Sequence, residues 1–287
     1  METIFINQDN LAYWQEKAKS TVMALGFFDG IHKGHCKVIN AAAEMAKDNN
    51  LSLAVMSFFP HPKSVISYRK VHYLMPLSEK EEKLRNLGVD TFYVVEFNKE
   101  FASLQPEEFV SRYLINLGVV HAVAGFDYTY GFKGAGNMET LKKDSGGLID
   151  VTKVGKLEFC GEKISSTCIR ERLLTGKVDE LPPLLGQPYK VKGEWDGQTL
   201  THKPFYTLPA PGCYEVTFQN EIASVHTQVT VLETGAGHVL KCITKIPKYM
   251  TGTLSIIWHR GIEKFGHTPT RSYSIINNEE AKSVQYV

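Results

Sequence analysis

The sequence predicts two folds in tandem: an α/β unit with a doubly wound parallel sheet over residues 1–185, then a small all-β, barrel-like unit over 186–287. Three observations carry this reading. Short apolar runs alternate with helical stretches through the first part, the signature of βαβ units and a parallel sheet with helices on both faces. After residue 186 the helical spacing stops, and short β runs separated by turn residues take over. Between the first buried run and the first helical stretch lies Gly26-Phe27-Phe28-Asp29-Gly30-Ile31-His32-Lys33-Gly34-His35, a glycine-rich turn with two histidines three residues apart.

The elements follow in order. Residues 21–25 form an apolar run of strand length, and the alanine-rich stretch 36–47 has helical spacing. Residues 51–59 read as strand, 78–87 as helix, 91–97 as strand, 106–117 as helix and 122–125 as strand. In Ile164-Ser165-Ser166-Thr167-Cys168-Ile169-Arg170 a serine caps a helix that runs to Leu174 and closes at Gly176. Residues 181–188 carry three prolines and read as a stiff linker. Beyond it, 213–218, 228–232, 239–244 and 253–259 are strands, with turns at Gln219-Asn220 and across 233–237.

Composition bounds the function. A chain of 287 residues has room for two domains of ordinary size, ~100–200 residues each. A net charge of +1 gives no basic footprint for nucleic acid or an acidic membrane surface as a primary partner. The start lacks a basic segment followed by a long apolar one, and the apolar runs elsewhere are strand-length, so a soluble cytoplasmic protein is expected. Cys36, Cys160, Cys168, Cys213 and Cys242 contain no Cys-x-x-Cys pair, which argues against a disulfide framework and a zinc site. His202, His226, His238, His259 and His267 have no metal-ligand spacing and receive no role.

Four segments fall where strands end and carry chemistry. At a helix start, free backbone N–H groups and the positive end of the helix dipole favour an anion, and the His32 and His35 imidazoles add donors for developing negative charge. This points to chemistry on a nucleoside triphosphate. In Phe58-Phe59-Pro60-His61-Pro62 the paired prolines fix the backbone around a histidine and two aromatic faces, a place for a flat ring to stack. The segment 125–137 combines Phe126, Tyr128, Tyr130 and Phe132 with glycines; its aromatics could sandwich a ring or equally fill the core. The Ser-Thr hydroxyls and Arg170 at the later helix start make a second phosphate cradle.

Taken together, Gly-x-Phe-Asp-Gly-x-His-x-Gly-His, Phe-x-Pro-His-Pro, Gly-x-Asp-aromatic-x-aromatic-Gly and Ser-Ser-Thr-x-Ile-Arg resemble the adenylyltransferase half of bacterial FAD synthetases. The resemblance covers residues 15–185 and implies FMN plus ATP giving FAD plus pyrophosphate, with magnesium. It implies that His32, His35 and Arg170 are the candidate catalytic residues. Gly26, Phe27, Phe28, Asp29, Gly30 and Gly34 would meet the nucleotide, Ser166 and Thr167 the triphosphate tail, and Asp127 the magnesium and phosphates. Phe59, His61, Pro62, Tyr128 and Tyr130 would line the flavin side. No covalent nucleophile stands out in these segments, so direct in-line attack on the α-phosphate is expected.

The second unit departs from the family. Leu184-Leu185-Gly186-Gln187-Pro188-Tyr189 and Leu208-Pro209-Ala210-Pro211-Gly212-Cys213-Tyr214 resemble the entry and a strand of a riboflavin kinase barrel. The kinase's Pro-Thr-Ala-Asn segment is missing from the chain, and its later catalytic glutamate has no counterpart around Glu233. A barrel without kinase activity is expected. The alternatives are a bifunctional kinase and FAD synthetase, a nucleotidyltransferase with another phosphorylated acceptor, and a non-catalytic flavin-sensing regulator.

Overall fold

The computed structural model describes residues 1–262 except 68–70, 198–199, 203–204, 235–236 and 244–245. Parts of the expected turn 233–237 and strand 239–244, and all of His267, lie outside the described residues. The first unit is a six-stranded parallel sheet of β1 (Glu2–Ile6), β2 (Thr21–Leu25), β3 (Ser52–Phe59), β4 (Thr91–Glu96), β5 (Val119–Gly125) and β6 (Asp150–Val154). Its strand order is β1-β4-β3-β2-β5-β6. From β2 the chain winds outward through β3 to β4, then returns to β5 on the other side. The gap between the carboxyl ends of β2 and β5 is therefore the switch point where such sheets bind ligands.

Both faces of the sheet are covered, which is why β2 is buried at every position and apolar after Thr21. Helix α1 (Leu11–Glu16) follows β1, and Val22 and Ala24 pack with Val38, Ile39, Ala42 and Ala46 of α2 (Lys33–Asp48) on one face. Met23 and Leu25 pack with Phe109, Tyr113 and Leu114 on the other. The expected helix 106–117 is one helical path with a π segment at Val110–Leu114 and a 3-10 turn at Ile115–Leu117. Two further helices position the site: α3 (Leu77–Asn86) and α4 (Ser166–Leu174). Ser165 caps α4, its hydroxyl accepting the Cys168 N–H at 3.2 Å.

The second unit is a closed antiparallel barrel of β7 (Lys190–Trp195), β8 (Leu200–His202), β9 (Gly212–Gln219), β10 (Ser224–Thr234), β11 (Gly237–Cys242) and β12 (Gly252–Ile262). The order β7-β8-β11-β10-β9-β12 closes on itself through β12 and β7. Tyr214, Val216 and Phe218 alternate inward on β9, facing Leu254, Ile256 and Trp258 of β12. The turn after β9 is held by Asn220, whose side-chain oxygen accepts the Ile222 and Ala223 N–H groups at 3.0 and 2.8 Å.

Residues 181–188 differ from the stiff linker expected of their prolines. Pro182–Leu185 is a helical turn, and Leu181, Leu184 and Leu185 are buried in the core that fills the barrel. The same core takes the inner face of α4, Cys168, Ile169 and Leu173. In packing, α4 belongs to the barrel although its first turn belongs to the site. The five cysteines are free thiols. No helix among the described residues is long and apolar enough to cross a membrane.

Candidate active site at the switch point

A cavity of about 650 Å³ opens beyond the ends of β2 and β5, within the range of ~300–1,000 Å³ usual for small-molecule sites. One end is polar. Gly26, Phe27, Phe28, His32, Gly34 and His35 line it, joined by Asp127, Lys163, Ser165 and Ser166. The other end is aromatic, with Phe58, Pro62, Phe97, Phe101, Phe109, Tyr128 and Tyr130. The geometry thus brings the histidine turn, the Pro62 loop, the Tyr128 segment and the start of α4 to one space.

His32 caps α2, and its Nδ1 accepts the His35 N–H at 3.2 Å. The two imidazoles stack with centroids 3.6 Å apart and planes 16° from parallel. Gly34 makes this possible: a Cβ there would stand 3.1 Å from the His32 ring. Burial lowers His32 to about 4, helped by the positive charges of Lys83 and Lys163. Burial also holds His35 well below its ordinary value, with His32, Lys80, Lys83 and Lys163 adding to the effect. Both rings are neutral at neutral pH, so the positive field around them comes from lysines. His35 Nδ1 and Tyr128 Oη are buried without a protein partner, which fits hydrogen bonds reserved for a ligand.

The turn that carries the histidines is strained. Phe28 and Ile31 have φ of 53° and 37°, left-handed values that non-glycine residues keep only when neighbours impose them. The neighbours are two lysines one turn apart on α3. Lys80 donates to the Phe27 carbonyl at 2.9 Å and to Ser57 Oγ at 3.2 Å. Lys83 donates to the Ile31 carbonyl at 2.8 Å. Burial lowers the Lys80 ammonium to about 8 and also lowers Lys83. Sequence reading missed both. They act on backbone carbonyls from a helix some fifty residues along the chain, and no local motif marks them.

Several expected site residues stand behind the wall. Asp29 is 1% exposed. Its carboxylate accepts the Leu74 N–H at 3.0 and 3.1 Å and the Met75 N–H at 3.2 Å, and it pairs with the Arg170 guanidinium. Burial raises its pKa, opposed by Arg170 and Lys80. Arg170 is held on this buried carboxylate, with a second donation to the Ser166 carbonyl at 3.4 Å, and is absent from the cavity wall. Gly30, at φ 79°, turns the chain against Leu74. Thr167 points outward and is exposed.

On the flavin side the placements also divide. Pro62, Tyr128 and Tyr130 line the cavity. Tyr130 is anchored from behind, its hydroxyl donating to Asp144 at 2.6 Å. Phe59 is half exposed and stacks on Tyr73 with centroids 6.1 Å apart, outside the wall. His61 sets its ring edge on Phe27 at 4.3 Å and is lowered to about 4 by burial, with Arg170, Lys63 and Lys80 adding to it. Its Nδ1 accepts the Lys63 N–H at 3.0 Å, so it caps the short helix Pro62–Ile66. Asp127 is half exposed, lines the polar end and pairs with Lys163, whose ammonium lies 4.7 Å over the Phe126 ring. Lys133 and Lys156 add two more cations to the wall. Sequence reading missed these lysines because single lysines in loops carry no pattern.

Comparison with known proteins fits this layout. A family model for FAD synthetase matches residues 14–168. A bifunctional riboflavin kinase/FMN adenylyltransferase from Bacillus subtilis is 47% identical over 195 residues, 67% of this chain and 61% of its own length. A protein of the same description from Listeria monocytogenes is 42% identical over 76% of this chain and 74% of its own. An FAD synthetase from Listeria monocytogenes is 36% identical over 69% of this chain and 81% of its own. Among solved structures, a macrolide-efflux protein from Streptococcus pneumoniae aligns with a TM-score of 0.79 and 28% identity over 94% of both chains. The match to the family model over more than half the chain, together with these relatives, establishes that the protein belongs to the FAD synthetase family.

Proposed function

We propose that this chain is an FMN adenylyltransferase that joins FMN and ATP into FAD and pyrophosphate. The observation that carries the reading is the single cavity with a polar, lysine-ringed histidine end and an aromatic end. In the reaction an oxygen of the FMN phosphate attacks the α-phosphorus of ATP. The bond from that phosphorus to the oxygen bridging to the β-phosphorus breaks, and pyrophosphate leaves with the electron pair. No oxidant or reductant is needed.

The residues supply position and charge. The N-terminus of α2 and the neutral His32 and His35 donate to phosphate oxygens, a role in which each donor strengthens as charge develops. Lys163, Lys156 and Lys133 neutralise the triphosphate. Tyr128 and the phenylalanines hold the isoalloxazine by stacking and exclude water from the reacting phosphorus.

Magnesium fits this site as a substrate-borne ion. Asp127 is the wall's half-exposed carboxylate, and the described residues contain no cluster of three or more acidic, histidine or cysteine ligands. Such a site suits a cation held mainly by phosphate oxygens with one carboxylate beside it. When bound, the ion withdraws charge from the phosphates.

We further propose that the barrel has no riboflavin kinase activity, because the chain lacks Pro-Thr-Ala-Asn and a counterpart of the catalytic glutamate. Incubating the purified chain with ATP, magnesium and either FMN or riboflavin, then separating the flavins, tests both statements. FAD from FMN, and neither FMN nor FAD from riboflavin, is the expected outcome. FMN produced from riboflavin would make the chain bifunctional, as its Bacillus subtilis and Listeria monocytogenes relatives are described to be.

A further inference from the structure

The strained turn 26–31 is held from behind by ties that converge from three segments, and each segment is docked on the barrel. The first is the stretch His72–Met75. Tyr73 pairs like a strand with barrel residues: its N–H donates to the Phe205 carbonyl at 2.6 Å, and its carbonyl accepts the Thr207 N–H at 2.8 Å. Thr207 Oγ1 donates to the His72 carbonyl at 3.1 Å, and the Tyr189 hydroxyl donates to the Thr207 carbonyl at 2.8 Å. Directly beyond this pairing, Leu74 and Met75 present their N–H groups to Asp29. Tyr73 reaches the other side as well, since its hydroxyl accepts the His61 N–H at 3.0 Å and its ring stacks on Phe27 and Phe59.

The second segment is α3. Glu79 is buried at 7% exposure, receives the Tyr206 hydroxyl and lies 3.9 Å from Lys192 of β7. The next residue, Lys80, holds the Phe27 carbonyl, and Lys83 one turn on holds that of Ile31. The third is α4. Its apolar face is part of the barrel core, and its last turn is fastened by the Ala210 N–H donating to the Leu173 carbonyl at 2.8 Å. Its first turn gives Arg170 to the Asp29 carboxylate and the Ser166 hydroxyl to the Asp29 carbonyl at 3.0 Å.

We propose that the barrel is the positioning element of the adenylylation site, and that Tyr206 and Thr207 are positioning residues that act through Asp29, Lys80 and Lys83 on the histidine turn. This rests on the reading of the site as an FMN adenylyltransferase. It gives the barrel a task that needs no kinase chemistry. A buried carboxylate that accepts from two backbone amides and a guanidinium is rigid only while all its partners stay in place. The barrel fixes both elements that bear those partners, the His72–Met75 stretch and α4, and also the helix that carries the lysines.

The test uses the full chain. Thr207→Pro removes the N–H donated to Tyr73 and the hydroxyl donated to His72; Thr207→Ser keeps both; Tyr206→Phe removes one hydroxyl and keeps the ring. Gln219→Ala, on the far hairpin, is the control. The readouts are kcat and KM for ATP and FMN, the melting temperature, and hydrogen exchange at the Leu74 and Met75 amides. Misplacement by about an ångström costs on the order of a hundredfold in rate. Thr207→Pro is therefore expected to lower kcat by about tenfold to a hundredfold with both KM values within about threefold. It should also expose the Leu74 and Met75 amides to exchange. Tyr206→Phe should lower kcat in the same direction, while Thr207→Ser and Gln219→Ala match the unsubstituted chain.

Wild-type kcat in both Thr207→Pro and Tyr206→Phe, with the amides of Leu74 and Met75 unprotected in the former, overturns the proposal. If Thr207→Pro fails to fold, Tyr206→Phe against Thr207→Ser decides it, and equal kcat in the two overturns it. An unsubstituted chain that makes no FAD contradicts the proposed function instead. Exchange at Leu74 and Met75 then still decides the positioning, because protection retained in Thr207→Pro rules out the tie through Tyr73.

Discussion

His32 and His35 are neutral, stacked and buried beside lysines, and this sets how the fold responds to acid. His32 titrates at about 4 in the folded chain, against 6.5 when unperturbed, and His35 and His61 are shifted in the same direction, mainly by burial. As pH falls, the unfolded chain takes up these protons first. Stability is therefore full above about pH 6.5 and is lost as pH falls towards 4. Urea midpoints measured at pH 7.5 and pH 5 should show the drop, and His32→Asn should shrink it. A midpoint that does not move between those values contradicts the electrostatic reading. In the reaction, His32→Ala or His35→Ala should each lower kcat by about tenfold to a thousandfold, the cost of one preorganised donor. FAD formation by the two variants at the unsubstituted rate would remove the pair from the site. At this scale the place of His32, His35, Gly34 and Ser166 on the cavity wall was legible because their motifs are local. Asp29 was not: it stands in the motif, yet its carboxylate serves Leu74, Met75 and Arg170 behind the wall.

The buried strands β2 to β5 were legible as apolar runs, since a strand covered on both faces has no polar alternation. The edge strands were not. β1 alternates exposed and buried residues against a single neighbour, and β6 is exposed or half-buried along most of its length. Residues 181–188 misled for another reason: the prolines describe the backbone, whereas Leu181, Leu184 and Leu185 decide that the segment packs. One element junction is sharply testable. Gly118 ends the helical path before β5 at φ 76°, and a Cβ there would lie 2.3 Å from the Lys19 carbonyl oxygen. Gly118→Ala should cost about 1–3 kcal/mol or more in chemical denaturation. Because the clash is at the opposite end of β5 from the cavity, KM for FMN and ATP should stay unchanged.

Across the whole molecule, the sheet supplies the floor of the cavity and the barrel fastens much of what stands behind the histidine turn. The proposed chemistry is one displacement at phosphorus with no protein intermediate. With ATP carrying a single-configuration sulfur on the α-phosphorus, the FAD product should show inversion, whereas retention would signal a covalent adenylyl-enzyme. The central claim is that the triphosphate sits on the stacked histidine pair. Nuclear magnetic resonance of histidine-labelled protein during ATP titration tests it most directly. The account predicts that the His32 and His35 imidazole signals move together and saturate with ATP while those of His226 and His259, on the outside of the barrel, stay in place. Saturating ATP that leaves the His32 and His35 signals unmoved would contradict it.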